Sequence, residues 1–194
     1  MRKWFVLVSL MLLLNGCAGI AELSALSKCE FRLYGLDDPR LCGIDVSRKR
    51  SWKDFSLMEG AVITTYLLGS SLPFDLTAYV EIRNPGTQTA AVEAIQYKLK
   101  VDNVKVATGS VTESVSVSPS GGRVVVRVPV HADLIDLVNQ DGLNSVRNLT
   151  LNLVNSGSQE SRISLKIKPS VRMGSRAIRY PGYFNVTREY SSGR

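Results

Sequence analysis

Few side chains in this chain have the types and spacing that chemistry needs. His131 is the sole histidine. It stands two residues before Asp133 and downstream of Ser114, Ser116 and Ser118, which together are the residue types of a Ser-His-Asp hydrolase. No Gly-x-Ser-x-Gly elbow is present to expose a nucleophile, and the alternating serines fit the solvent side of a strand. Asp133 and Asp136 fit the first turn of a short helix, whose dipole favours carboxylates. Gly121-Gly122 is followed by neither a helix pattern nor a Lys-Ser/Thr pair, so it reads as a turn and not a phosphate cradle. Cys29, Cys42 and His131 are too few and too far apart in sequence for a zinc site. The expectation is a protein with no catalytic residues, no cofactor and no metal.

The cations are distributed unevenly. Formal net charge is +7. From Arg162 onward there are eight basic residues and one acid, Glu189, while the part before it is nearly neutral. Arg172, Arg176 and Arg179 form the centre of this basic segment. They are the candidate contacts to an anionic surface, either lipid headgroups or a cell-wall polymer. The alternative is a solvated strand face. No nucleic-acid recognition motif accompanies the charge, so nucleic acid is not expected as a partner.

Met1-Arg2-Lys3 followed by the apolar run Trp4–Leu14 fits a signal peptide, the run being too short to span a bilayer. Leu14-Asn15-Gly16-Cys17 then resembles the lipobox of bacterial lipoproteins, with Asn15 where Ala or Ser is usual. The resemblance implies a diacylglycerol on Cys17 and attachment to the membrane through lipid. Ala18 stands where an inner-membrane lipoprotein carries Asp, which implies the outer membrane; no acidic export run follows, which favours its periplasmic leaflet. With Cys17 acylated, Cys29 and Cys42 remain as a pair in an oxidising compartment. A disulfide between them would contribute about 3 kcal/mol in the chain-entropy model. Two buried free thiols are the alternative.

These residues need a scaffold, and the pattern predicts a mainly β one. Phe74, Leu76, Ala78, Val80 and Ile82 alternate with polar residues, and Asn84-Pro85-Gly86 ends the run. Ile95, Tyr97, Leu99 and Val101 form a second strand, and Asp102-Asn103 turns it into a third from Val104. Glu113 shares parity with Val115 and Val117, which calls for a later strand start or a bulge. After Pro119–Gly122 come Val124, Val126, Val128 and Val130. Cys29–Leu33 reads as a first strand and 41–46 as a short second one. Ser56-Leu57-Met58-Glu59 is a capping box, predicting a helix over 57–68 that ends on a left-handed Gly69. Its stripe of Leu57, Met58, Ala61, Val62, Thr65 and Leu68 is expected to pack on the sandwich edge or end; a membrane-surface role is the weaker alternative, because its polar face has no Lys or Arg. Leu134, Ile135, Leu137 and Val138 predict a short helix that ends near Gln140-Asp141-Gly142. Leu149, Leu151 and Leu153 read as a strand, Asn155–Ser158 as a turn and Ile163, Leu165 and Ile167 as its hairpin partner; residues 180–186 add a last strand. The domain bounds are a signal peptide at 1–16, a lipidated tether at 17–28, an immunoglobulin or fibronectin-III-like antiparallel β-sandwich at 29–188 with one or two short helices, and a flexible tail at 189–194.

Asn84-Pro85, Ile95-Gln96-Tyr97-Lys98-Leu99, Val106-Ala107-Thr108-Gly109 and Val126-Arg127-Val128-Pro129-Val130 carry a family resemblance. The chain resembles the WHy (water stress and hypersensitive response) domain of the group 2 late embryogenesis abundant proteins and their bacterial desiccation-related relatives. Gly86 stands where that family usually has Asn. The resemblance implies a β-sandwich without a shared catalytic site, and a stress-protective role. A second reading is an adaptor that docks an envelope protein, since sandwich edges accept added strands. Adaptor is the preferred expectation here, because the strands specify one rigid fold and the lipid fixes its place.

Overall fold

The computed structural model describes residues 17–153, 161–173 and 176–190. The expected signal peptide, the turn at 155–158 and the tail beyond Tyr190 lie outside the described residues. In chain order the elements are α1 (Cys17–Ser27), β1 (Glu30–Leu41), β2 (Ile44–Asp45), α2 (Leu57–Leu68), β3 (Pro73–Asn84), β4 (Ala90–Val101), β5 (Val104–Val117), β6 (Gly122–Asp133), α3 (Ile135–Asp141), α4 (Leu143–Leu153), β7 (Ser161–Met173), β8 (Arg176–Arg179) and β9 (Phe184–Tyr190). A single 3-10 turn, Trp52–Asp54, precedes α2.

The strands form two antiparallel sheets, as the alternation predicts. One has the order β2-β1-β3-β6, the other β5-β4-β7-β8, with β9 also on β7. Burial alternates along the whole of β3, placing Phe74, Leu76, Ala78, Val80 and Ile82 inward. Facing them across the core are Ile95, Tyr97, Leu99, Ile163, Leu165 and Ile167. A fully buried Val, Leu, Ile or Phe contributes about 1.5–3 kcal/mol, so the alternation itself fixes which face closes. Asp102 and Asn103 both have positive φ, the geometry of the two-residue turn that joins twisted strands. The parity of Glu113 is resolved by a bulge: Val92 pairs Val115, but Ala94 pairs Thr112.

Helices close both ends of the sandwich. Helix α1 packs against β4 and β7 and buries Ala25 and Leu26 in the core. It occupies the end where β3 finishes; Lys28 lies beside Gly86. Residues 17–27 thus form a helix docked on this end of the sandwich. At the opposite end, Leu134, Leu137, Val146 and Leu149 are buried beneath α3 and α4.

Three expectations are corrected. Leu149, Leu151 and Leu153 belong to helix α4, so no hairpin joins them to β7; β7 pairs β4 and β9 instead. Gly69 caps α2 with φ −79°, and the left-handed residue is Ser70 at φ 55°. Cys29 and Cys42 are buried free thiols and not a disulfide. They flank β1 at its two ends, and a strand of 12 residues spans about 40 Å, whereas a bridge needs Cα atoms within about 7 Å.

Candidate functional site

The motif residues turn inward and lock the two sheets together. Asn84 is fully buried at the end of β3. Its Nδ2 donates to the carbonyls of Gln88 (2.8 Å) and Val117 (3.0 Å), and its Oδ1 accepts from the Gly86 amide at 3.0 Å. Its carbonyl accepts from the Gly121 amide at 2.7 Å. One side chain therefore satisfies three backbone groups that an apolar residue would leave unpaired. In the middle of the sandwich, the Tyr97 hydroxyl donates across to the Pro129 carbonyl at 3.0 Å. Tyr97 lies opposite Gly109 in the β4–β5 register, and a Cβ at 109 would meet the Tyr97 ring at 2.5 Å. Pro129 sits on β6, at the rim of its sheet, where a missing N–H is tolerated. Asn84, Tyr97, Gly109 and Pro129 thus serve packing and polar satisfaction.

His131 and Asp133 do not meet. His131 Nδ1 contacts Asp75 Oδ1 at 2.6 Å on the exposed surface. Asp133 Oδ2 accepts from Ser71 Oγ at 2.7 Å, and its Oδ1 accepts from the amides of Leu72 (2.8 Å) and Ile135 (3.0 Å). Burial pushes the Asp133 carboxyl up, but the bonds from Ser71, Leu72 and Ile135 outweigh it and hold the group below its ordinary value. This carboxylate is a clamp joining α2, β3 and α3. Burial pushes both thiols up to about 11, at Cys42 with help from the Asp133 charge. Neither thiol is poised as a nucleophile. Among the described residues no cluster of His, Cys, Asp or Glu could hold a metal.

The three candidate arginines sit at the α1 end. Arg172 is near the end of β7, and β8 returns beside it with Arg176 and Arg179 exposed. Arg172 is engaged by Glu93, which Ser114 Oγ also bonds at 2.7 Å. The Arg172 guanidinium, with Ser114 behind it, holds Glu93 below the usual carboxylate range. The one sequence signal that marks Glu93 is that it is the lone acid on a strand whose other charged side chains are lysines. Lys98 and Lys168 instead flank the Tyr183 ring, at 4.8 and 5.4 Å from its centroid, on the outer sheet face. Cys17 is the first residue of α1, at this same end; its side chain lies outside the described residues. Among the described residues, no helix is long and apolar enough to cross a membrane.

One side of the sandwich is closed by β5 lying against β6, and the other is open. On the open side β1 faces β9, with Phe31 and Phe184 rings 4.3 Å apart. A groove of about 480 Å³ runs there between Phe31–Tyr34 and Asn185–Thr187. The edges beside it are broken: β1 shifts register at Leu33/Gly35 and Asp37/Arg40, and β8 and β9 share one edge of β7 with a gap at 180–183.

Known proteins give these observations a context. Among curated proteins none matches the chain in sequence. A crystal structure of a protein from Archaeoglobus fulgidus is 17% identical, with a TM-score of 0.38 over 63% of this chain and 87% of that one. A solution structure from Arabidopsis thaliana is 13% identical, with a TM-score of 0.41 over 61% and 70%. A solution structure of a late embryogenesis abundant (LEA) protein is 16% identical, with a TM-score of 0.41 over 98% and 87%. The model of the late embryogenesis abundant protein family LEA_2 matches residues 79–181, from mid-β3 to the turn after β8 and more than half of the chain. The chain belongs to that late embryogenesis abundant family.

Proposed function

We propose that this protein is a non-enzymatic, stress-protective component of the cell envelope, held by lipid on Cys17 at the periplasmic face of the outer membrane. Family membership carries the protective reading. The residues that could have done chemistry support it too, since Asn84, Tyr97, Asp133 and the thiols are spent on packing and hydrogen bonding. The anchor reading gains support from geometry. Cys17 opens the helix at the end that also carries exposed Arg176 and Arg179, so a lipid there would bring cations to anionic headgroups. The test is drying survival of a deletion strain complemented by wild-type or Cys17→Ser protein. Restoration by wild type alone is the expected result. Full survival without the gene would sink the protective reading, and equal fatty-acid labelling of both forms would sink the anchor.

An adaptor role is the second reading, favoured by the open groove between β1 and β9. Gentle detergent extraction from unstressed cells should then yield one envelope protein at fixed stoichiometry. Loss of drying survival with no such partner would leave protection alone.

A further inference from the structure

Helix α2 carries the stripe that sequence periodicity assigned to the interior, yet the structure turns it out. Leu57 is 95% exposed, Met58 77% and Leu68 83%, while Ile63 is the one buried residue of the helix. Six of the ten large apolar side chains exposed among the described residues fall between Trp52 and Leu68. The helix has no cation, and its one acid, Glu59, is neutralised by Lys49 at 2.9 Å. That ion pair ties the preceding loop to the first turn of α2. The loop exposes Arg48, Arg50 and Lys53, with Trp52 stacked on Phe55 at 4.9 Å. Arg50 and Lys53 make no ion pair among the described residues.

We infer that α2 and the 48–53 loop are a docking surface for an anionic lipid bilayer. Leu57, Met58, Val62 and Leu68 would enter the acyl boundary, Trp52 the headgroup level, and Arg48, Arg50 and Lys53 the anionic headgroups. Apolar side chains flanked by Trp and cations are the composition that binds such an interface. A second copy fits less well. A 12-residue helix is about 18 Å long and about 10 Å wide, a footprint far below the roughly 800 Å² per partner of a stable interface. Two copies meeting there would also oppose like charges. The surface lies at the end of β3 remote from α1, so it is a contact separate from any lipid on Cys17, and it does not rest on the stress reading.

The test uses the chain from residue 17 with Cys17→Ser, which carries neither the apolar leader nor the lipid and keeps Trp52 as the sole tryptophan, mixed with vesicles containing brominated lipid. Trp52 fluorescence should be quenched on phosphatidylglycerol vesicles and much less on phosphatidylcholine. Arg48→Gln/Arg50→Gln/Lys53→Gln should weaken the association by about tenfold or more. Leu57→Gln/Met58→Gln/Leu68→Gln should abolish quenching with circular dichroism unchanged, because these side chains support no core. Absent quenching on anionic vesicles, equal quenching on neutral ones, or quenching that survives the Leu57/Met58/Leu68 change overturns the inference. So does self-association in sedimentation that the same change removes without any lipid effect.

Discussion

Asp133 is the residue on which most of one end depends. Its carboxylate holds one hydroxyl and two amides, and bonds to a charged acceptor are worth about 1.5–3 kcal/mol each when broken singly. Asp133→Asn should therefore destabilise the fold by about 2 kcal/mol in urea unfolding at neutral pH. The pH dependence follows from the direction of the shift. A carboxyl held below its unfolded value stabilises the fold above that value, about 3.9, and the contribution is lost as pH falls through the lower folded value. Wild type and Asp133→Asn should thus converge in stability under strong acid, and a constant gap down to pH 2 would contradict the clamp. The thiols make a second prediction. Cys29 and Cys42 should resist iodoacetamide in the native protein at pH 8 and both react in denaturant without reductant. Failure to react in denaturant would restore the disulfide.

Strands and helices differ in how far they could be read. The positions of β3, β4, β5 and β6 follow from alternation and turns, because a one-residue slip would expose every buried side chain. The start of α2 follows from its capping box, in which Ser56 and Glu59 bond each other's backbone. Its orientation does not follow, since the helix is apolar on nearly every side and Ile63 with Leu67 offers a second face. Helix α4 satisfies two periods at once. Leu149, Leu151 and Leu153 alternate, but Val146, Leu149, Thr150 and Leu153 also fall at helical spacing, and the open end beneath them selects the helix. Strand β8 has a single partly buried apolar residue, Ile178, so it read only as charge. Register supplies the prediction at this scale. Tyr97 couples β4, β5 and β6 through Gly109 and the Pro129 carbonyl. Gly109→Ala should cost about 1–3 kcal/mol and Tyr97→Phe about 1 kcal/mol. The pair should be less than additive, because the ring displaced by the new methyl group has already lost its bond. Additive losses in urea unfolding would separate the two.

At the scale of the whole molecule, the cationic α1 end and the apolar α2 end are set apart by the length of β3. Replacing Arg176 and Arg179 with Gln should weaken attachment of the Cys17→Ser chain to anionic vesicles, with a reduced dependence on salt. The same change in Arg172 should instead lower stability slightly, since Glu93 already holds that guanidinium. Identical effects of all three would count against the division. The open side of the sandwich has a bearing on drying itself. As water leaves, every solute concentrates, and a long straight strand rim becomes a template on which neighbouring molecules pair into fibres. Here β1 is kinked by two register breaks, and the facing rim is cut into the separate pieces β8 and β9. Among the described residues that seam offers no uninterrupted ladder, so crowded molecules meet there without a continuous edge on which to pair.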